Sequence, residues 1–540
     1  MMRARNCWRV AREVNVAIPT REIDAIFAEW DRDDSPGCAL AVIQDGQVAY
    51  ACGYGTANLE HGVPISPDSI FHVASISKQF TDMCVALLAA DGVLSLDDDI
   101  REYVPEVPDY GATITIRHLI HHTSGLRDMW DLLRLAGWRS DDLINEADML
   151  WVASRQTAPN FRPGDEYLYS NTGYALLALI VGRVSGKSLR ELAHERIFER
   201  LGMMSTHFHD NHTEIVKGRT QAYEPCKDGG LRISIPVFDV VGTTSLFTTV
   251  EDMARWDDNF NHRRVGGDAL VEQMLTPGRL NNGGPMSYGF GLQIHAYRGL
   301  PIVEHSGADA GYRAHYLRFP DARLAVVCLC NLSTMTPRTL ALEVADLVLS
   351  DRFSEPLDDG NLATTNSQDE ARFAGVYRND DTGDLLRVVS DDRGLSLGFD
   401  EPQRLANLAD SSYRINGQRL TRLRFADRDG ATLLIHGALY SPVPDPVYAR
   451  VAGPGSTETP AFDGGDFYSE ELDTRYHLEP AKHGLVLKHY RLEDRTLQHA
   501  YADEYAANNL RVRLEREAGG NVTGFRASTW RIRNVRFERR

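Results

Sequence analysis

The sequence lacks several features that would place it in other protein classes. Its longest apolar runs, such as residues 174–181, are far shorter than the about 20 residues that a membrane-spanning helix needs. Arginines stand at positions 3, 5, 9 and 12, but the apolar run of about 7–15 residues that completes a secretory signal does not follow them. From these absences we predict a cytoplasmic protein with no membrane as a partner.

Positive charge is scarce relative to negative charge. The 58 lysines and arginines are outnumbered by 76 aspartates and glutamates, which gives a formal net charge of −18. Nucleic-acid binding depends on clustered lysine and arginine, so nucleic acid is not expected as a partner. The remaining composition, with 43% hydrophobic and 25% charged residues, is that of an ordinary globular protein, and 540 residues are enough for several domains.

Cysteine is also rare. Seven cysteines are an odd number, and they show none of the regular spacing of a disulfide framework, so we expect reduced thiols. Cys328 and Cys330 lie in an apolar run, residues 324–332, that is typical of a buried strand. We expect their side chains on opposite faces of that strand.

The first part of the chain has the patterns of a mixed α/β domain. Residues 38–43 and 47–54 predict two strands joined by a tight hairpin at Asp45-Gly46. Helical periodicity follows over residues 75–91, 174–185 and 188–201, and a late pair of strands is expected within residues 302–332.

Two polar, turn-rich stretches, residues 353–370 and 453–460, have little to bury and are expected to be linkers. The segments after them resemble repeats, because Phe373-Ala-Gly375 before Tyr377 matches Phe462-Asp-Gly-Gly465 before Tyr468. Their short alternating strands, with turns such as Asp429-Gly430, favour small barrels, since closure removes exposed strand edges. The sequence thus predicts three domains, over residues 1–352, 371–452 and 461–540.

Ser75-Ile-Ser-Lys78 lies at the start of the first predicted helix. Residues three apart on a helix face the same way, so the Ser75 hydroxyl and the Lys78 amine are expected within hydrogen-bond reach. Desolvation and the positive field at a helix N-terminus both favour the neutral amine, which can accept the hydroxyl proton. A nucleophile beside its base is what acyl transfer needs.

A serine and a lysine at this spacing arise by chance about once or twice in a chain of this length and composition. Two further motifs follow in order, Tyr169-Ser-Asn171 and His305-Ser-Gly307. Together they are variants of the three elements of penicillin-recognising serine enzymes: Ser-x-x-Lys, a Ser/Tyr-Asn element and a Lys-Thr-Gly element.

With these motifs, the chain resembles the serine β-lactamase and penicillin-binding-protein family, in the branch of class C β-lactamases, family esterases and D-stereospecific aminopeptidases. The resemblance covers about residues 20–350 and includes residues 117–128, 197–203 and 288–292. It implies an antiparallel sheet flanked by helices. Two following lipocalin-like barrels are similar to the layout of the D-aminopeptidases.

The resemblance also implies a role for each motif residue. Ser75 would be the acylated nucleophile, Lys78 its proton acceptor and Tyr169 the group that passes the proton to the leaving group, helped by nearby positive charge from Lys78 and His305. Asn171 would hold Lys78 or the substrate amide. The backbone amides of Ser75 and Ala308 would form the oxyanion hole, and Gly307 would let the substrate approach its strand.

Each of these residues has a structural alternative. Tyr169 could be a core tyrosine, His305 a satisfied strand histidine and Asn171 a helix cap. His118, His121 and His122 could suggest a metal site, but no zinc-type glutamate pattern accompanies them, so a structural role is expected. We expect no metal and no cofactor.

Four functions remain open. The first is hydrolysis of amide bonds in small peptides or amino-acid amides, as in D-aminopeptidases, and His305 in place of a family lysine favours it. The second is a carboxylesterase, for which the same Ser75 chemistry suffices. A β-lactamase or D,D-carboxypeptidase and a non-catalytic binding protein are the other two. The expected partner is a small peptide, amide or ester substrate, and a homo-oligomer is possible.

Overall fold

The computed structural model describes residues 7–8, 18–357, 370–408, 410–416, 421–428, 430–438, 445–451 and 462–540. The chain forms two compact units. The first unit consists of Met1–Leu126, Ser140–Ser154 and Phe161–Pro356. The second unit consists of Arg127–Arg139, Arg155–Asn160 and Leu357–Arg540.

The described residues of the first unit form fourteen strands. In chain order they are β1 (Cys7–Trp8), β2 (Cys38–Gln44), β3 (Gln47–Tyr54), β4 (Thr56–Asn58), β5 (Val63–Pro64), β6 (Phe71–His72), β7 (His207–Phe208), β8 (Tyr223–Pro225), β9 (Leu231–Ile233), β10 (Leu246–Thr248), β11 (Gln293–Tyr297), β12 (Leu300–Asp309), β13 (Tyr312–Phe319) and β14 (Leu324–Cys330). Seven of them form the main antiparallel sheet, in the order β1-β3-β2-β14-β13-β12-β11.

The helices surround this sheet, except for the fourth, which belongs to the second unit. They are α1 (Thr20–Ile26), α2 (Lys78–Ala90), α3 (Ile116–Ile120), α4 (Met129–Leu135), α5 (Glu146–Ser154), α6 (Asn171–Ser185), α7 (Leu189–Ala193), α8 (Glu199–Leu201), α9 (Val250–His262), α10 (Gly267–Met274) and α11 (Pro337–Val348). Within the described residues, none is long and apolar enough to cross a bilayer.

The predicted hairpin is confirmed. Asp45 and Gly46 join β2 to β3, and both have positive φ angles, 54° and 76°, as a tight turn between twisted strands requires. The late strand prediction is wrong in number, because residues 300–330 form three antiparallel strands, β12 to β14, rather than a pair. All seven residues of β14 are buried, which explains its uninterrupted apolar sequence.

The cysteines differ from expectation in two ways. Residues two apart in a strand share a face, so Cys328 and Cys330 lie on the same side of β14, with their Sγ atoms 3.6 Å apart. The expectation of opposite faces was wrong because it misapplied this alternation. In addition, Cys52 is disulfide-bonded, so the thiols are not all reduced.

The predicted helices are present with changed ends. A 3-10 turn, Ala74–Ser77, precedes α2, so the Ser-x-x-Lys motif spans the junction between the turn and the helix. The helix expected over residues 188–201 is interrupted by a π-helical turn, His194–Phe198, between α7 and α8. It ends at Gly202, whose φ of 74° is the left-handed conformation that glycine adopts easily.

The second unit contains two closed antiparallel barrels of eight strands each, which confirms the predicted pair of barrels. The first consists of β15 (Gly375–Arg378), β16 (Leu385–Asp391), β17 (Gly394–Leu397), β18 (Gln403–Asn407), β19 (Tyr413–Ile415), β20 (Thr421–Arg428), β21 (Ala431–Ala438) and β22 (Val447–Val451). The second consists of β23 (Gly465–Ser469), β24 (Thr474–Ala481), β25 (Gly484–His489), β26 (Leu492–Tyr501), β27 (Glu504–Ala507), β28 (Leu510–Arg516), β29 (Val522–Ser528) and β30 (Val535–Arg539).

Parts of the predicted domain organisation lie outside the described residues. These parts are the linker over residues 453–460, most of the linker over residues 353–370, and Asp429 of the predicted turn. The division into domains over residues 1–352, 371–452 and 461–540 stays a prediction.

The second barrel packs against the two short segments of its unit that come from earlier in the chain. Arg127 Nη1 donates to Glu471 Oε2 at 2.6 Å, and Thr157 Oγ1 donates to Glu471 Oε1 at 2.9 Å. Both side chains of the Arg127–Glu471 ion pair are buried, with 3% and 8% exposure. Tyr476 adds a hydrogen bond from its hydroxyl to the carbonyl oxygen of Leu135 in α4.

Candidate functional site

Ser75, the predicted nucleophile, lies in the 3-10 turn between β6 and α2, which we call the nucleophile turn (Ala74–Ser77) for that reason. Ala74, just before it, has a φ of 48°, a strained value for a residue with a side chain. Ser77 fixes the turn, since its hydroxyl donates to the carbonyl oxygen of Ala74 at 2.5 Å and accepts from the amide of Leu246 at 3.0 Å. As a result, Ser75 is half-buried and can be reached, whereas its neighbours are buried.

Lys78 is fully buried at the first position of α2, and its amine is surrounded by oxygen atoms. Nζ donates to Ser75 Oγ at 3.2 Å, as the motif spacing predicts. It also donates to Asn171 Oδ1 at 3.0 Å and to Thr243 at two atoms, the carbonyl oxygen at 2.7 Å and Oγ1 at 3.2 Å. The hydroxyl and the amine are therefore held in the geometry that proton transfer needs.

Tyr169 and Asn171 flank the same amine. The Nζ atom of Lys78 lies 4.8 Å from the centre of the Tyr169 ring, close enough for a cation–π contact. The ring of His122 packs against Tyr169 with centroids 4.1 Å apart, and His122 Nδ1 accepts the backbone N–H of Ser170 at 3.1 Å. His122 thus fixes the segment that leads into α6 and carries the Tyr169-Ser-Asn171 motif.

His305 is buried at the centre of the site. Its Nδ1 lies 2.7 Å from the carbonyl oxygen of Ser306, which can only accept, so Nδ1 carries the proton and Nε2 accepts from the Tyr288 hydroxyl at 2.9 Å. Burial and, to a smaller degree, the charge of Lys78 lower the pKa of His305 to about 3. His305 is therefore neutral near pH 7, and the expectation that it adds positive charge beside Tyr169 was wrong.

Gly307 and Ala308 follow His305 on β12. A Cβ atom at Gly307 would overlap the carbonyl oxygen of Val73, so the glycine lets β12 approach the nucleophile turn. The expected role of Gly307 in substrate approach stays a prediction. Strand β11 pairs with β12 only as far as Glu304, and Ala308 is exposed beyond this point. Within the described residues, the edge of β12 beyond Glu304 therefore has no neighbouring strand on the β11 side.

Two residues of the site were not predicted. Thr243 holds both Lys78 and Asn171, because its hydroxyl donates to Asn171 Oδ1 at 2.6 Å. Tyr288 holds His305, and it belongs to the Tyr-Gly-Phe-Gly-Leu segment that carries part of the family resemblance. That segment was the only sequence signal for Tyr288, while a lone threonine in a loop gives none.

The three neighbouring histidines have separate structural contacts. His118 completes a capping box with Thr115 at the start of α3. His121 Nδ1 lies 3.0 Å from the carbonyl oxygen of Tyr288, and His122 packs on Tyr169.

Two other clusters in the described residues have side chains of the metal-ligating type. They are Cys38, Cys328 and Cys330, and His207, His209 and Glu214. The three thiols are fully buried in the sheet, and Glu214 is already held by both terminal nitrogens of Arg190. Neither cluster contains a residue of the three motifs.

Comparison with known proteins agrees with this geometry. A D-aminopeptidase from Gluconobacter oxydans is 30% identical over 377 residues, which are 69% of this chain and 69% of that protein. A D-aminopeptidase from Cereibacter sphaeroides is 27% identical over 525 residues, 93% of this chain and 96% of that protein. The octameric penicillin-binding protein homologue from Pyrococcus abyssi has a similar fold, with a TM-score of 0.58 at 23% identity, over 80% of this chain and all of that chain.

The family model described as Beta-lactamase matches residues 23–350, the region that contains all three motifs and every strand of the main sheet except β1. The chain therefore belongs to the beta-lactamase family.

Proposed function

We propose that this protein is a serine hydrolase that forms an acyl-enzyme on Ser75 and cleaves amide bonds of small peptides or amino-acid amides, as D-aminopeptidases do. The observation that carries the proposal is the 3.2 Å hydrogen bond between Lys78 Nζ and Ser75 Oγ at a half-buried position beside an open strand edge. The sequence relationships are those of a serine hydrolase of the D-aminopeptidase type.

In the proposed acylation step, Ser75 Oγ attacks the substrate carbonyl carbon while the Lys78 amine takes the hydroxyl proton. The backbone amides of Ser75 and Ala308 receive the developing negative charge on the carbonyl oxygen; one such donor is worth about 10²–10³ in rate in another serine hydrolase. Asn171 and Thr243 keep the amine aligned through their contacts with Nζ.

Collapse of the tetrahedral intermediate requires a proton on the leaving nitrogen. Tyr169 is the proposed carrier, because its ring lies beside Lys78 and its hydroxyl is buried in the same site. Water then attacks the ester bond to Ser75 by the reverse route, releases the acid and returns the proton to the serine.

A carboxylesterase is the second candidate. An alkoxide leaves more easily than an amine, so the Ser75–Lys78 pair is sufficient without any group that recognises the amine side of a substrate. A D,D-carboxypeptidase or β-lactamase is disfavoured, because neutral His305 does not provide the permanent cation that would bind a substrate carboxylate.

The test is covalent labelling with a fluorophosphonate, read by intact mass and peptide mapping. Labelling is expected on Ser75 in the wild type and in a control variant of the exposed Ser95, Ser95→Ala. Ser75→Ala is expected to lose both labelling and turnover while it stays folded, because a half-buried hydroxyl contributes little stability. Turnover above a tenth of the wild-type rate in Ser75→Ala would refute the assignment of the nucleophile.

The assembly state belongs to the same proposal. The homologue from Pyrococcus abyssi is described as octameric, which favours a homo-oligomer here as well. Light scattering coupled to size exclusion measures this directly, and a monomer at micromolar concentration would contradict it.

A further inference from the structure

Asp309 is the last residue of β12, and the mechanism above gives it no role. It lies two residues after Gly307, and because side chains alternate along a strand, both positions face the nucleophile turn. Its half-buried carboxylate accepts hydrogen bonds from Thr244 Oγ1 at 3.0 Å and from the backbone amide of Ala310. Within the described part of the chain, no lysine, arginine or histidine forms an ion pair with it.

A short chain of hydrogen bonds connects Asp309 to the turn that carries Ser75. The amide of Ala74 donates to His72 Nδ1 at 3.2 Å, so the proton of His72 is on Nε2, which faces Thr244 Oγ1 at 3.4 Å. The Thr244 hydroxyl then donates to Asp309. Thr243, the residue before Thr244, holds Lys78, and the charge of Lys78 acts on Asp309, so Asp309 belongs to the same site.

Among the described residues, the charge of Lys78 acts on two carboxylates, Asp82 and Asp309, which differ in their access to a substrate. Asp82 is fully buried within α2 and accepts the Tyr174 hydroxyl at 2.7 Å. Asp309 is half-buried at the open end of β12. Burial raises the pKa of Asp309 to about 6, against the opposing effects of the Thr244 hydrogen bond and of the charges of Arg313 and Lys78, so at pH 7 it is mostly ionised and its charge is only partly compensated. A buried charge of this kind is stabilised by a cation that comes to it.

We propose that the Asp309 carboxylate binds the free α-ammonium group of the substrate, which makes peptides and amides with an unsubstituted N-terminal amine the preferred substrate class. The inference rests on the proposed function. In an aminoacyl-enzyme the α-nitrogen is about 2.5 Å from the carbonyl carbon on Ser75, from standard bond lengths, so its counter-ion has to lie beside the nucleophile turn. The net charge of −18 adds attraction for a cationic substrate.

The experiment compares substrates that differ only at the amine. Values of kcat/KM are measured for D-alanine p-nitroanilide, for N-acetyl-D-alanine p-nitroanilide and for the p-nitroanilide of propionic acid, which lacks the amine. p-Nitrophenyl butyrate reports acylation of Ser75 independently of amide cleavage. The variant is Asp309→Asn, which still accepts a hydrogen bond from Thr244, and the control is Asp321→Asn, which removes the same charge at an exposed position.

We expect the wild type to prefer the free amine. Asp309→Asn should lower kcat/KM for D-alanine p-nitroanilide by about 10- to 100-fold, the range for one hydrogen bond between charged groups. The propionyl anilide and the butyrate ester should react as before, and Asp321→Asn should behave like the wild type on every substrate.

If Asp309→Asn lowers kcat/KM equally on all substrates, or if it leaves the preference for the free amine unchanged, the ammonium site is overturned but the amidase function is not. Turnover of the butyrate without turnover of any anilide by the wild type overturns the proposed amidase function, and the ammonium site with it. The two failures are therefore distinguishable in one set of measurements.

Discussion

Substitution of Thr243 tests directly which contacts hold the Lys78 amine in place. It accepts from Lys78 Nζ at 3.2 Å and donates to Asn171 Oδ1 at 2.6 Å, so Thr243→Val removes two buried hydrogen bonds while the side-chain volume is kept. A hydrogen bond to a charged group is worth about 1.5–3 kcal/mol. Since about 1.4 kcal/mol corresponds to a factor of ten in rate, we expect kcat/KM to fall by about 10- to 150-fold on both amide and ester substrates.

Thr81→Val is the matched control. Thr81 is also a buried threonine, and its hydroxyl donates to the carbonyl oxygen of Gly242 at 2.8 Å without contacting Lys78. Both variants should lower the melting temperature to a similar degree, but only Thr243→Val should lower the rate of ester hydrolysis. If the two variants lose the same activity, the effect comes from a loosened loop, and the assignment of Thr243 as a positioning residue for Lys78 is refuted.

Two further predictions concern stability. Glu471→Gln removes a carboxylate that is paired with the buried Arg127 guanidinium, which should lower the free energy of unfolding by about 3–5 kcal/mol in urea titrations. Asp97→Asn, which removes the partner of the exposed Arg117, should cost less than about 1 kcal/mol. Similar losses of unfolding free energy in the two variants would mean that burial does not increase the contribution of the Arg127–Glu471 ion pair. His305 is neutral in the folded protein but has a pKa of about 6.5 when unfolded, so the unfolded state binds more protons and stability falls as the pH drops from about 6.5 towards 4. The free energy of unfolding of His305→Gln should fall less over this pH range than that of the control variant His61→Gln, which changes an exposed histidine. The same dependence on pH in both variants would contradict a buried neutral imidazole at position 305.

Local spacing predicted the Ser75–Lys78 contact, because residues three apart meet on one face of a helical turn whatever the rest of the fold does. The contacts of Lys78 with Asn171 and Thr243 join positions far apart in the chain, and no local pattern encodes them. Asn171 was found through the order of three motifs and the family they resemble. Thr243 belongs to no motif, and only the folded structure identifies it.

Charge states were harder to predict than positions. The sequence places His305 two residues before Gly307 on a strand, but its protonation depends on burial and on the distance to Lys78, which are properties of the assembled site.

The error for Cys328 and Cys330 is of another kind. The apolar run correctly predicted β14, and the alternation of side chains along it should have placed the two thiols together.

The electrostatics of the site bear on which end of a substrate it recognises. With a pKa of about 3, protonating His305 at pH 7 costs on the order of 5 kcal/mol, because each pKa unit corresponds to about 1.4 kcal/mol. A hydrogen bond between a substrate carboxylate and the imidazolium contributes about 1.5–3 kcal/mol and does not offset that cost. Position 305 therefore cannot serve as the carboxylate-binding cation that a lysine would provide. Asp309, in contrast, is mostly ionised at pH 7 and forms no ion pair within the described residues, although the charges of Arg313 and Lys78 act on it. Strand β12 therefore carries a group suited to the amino end of a peptide rather than to its carboxyl end.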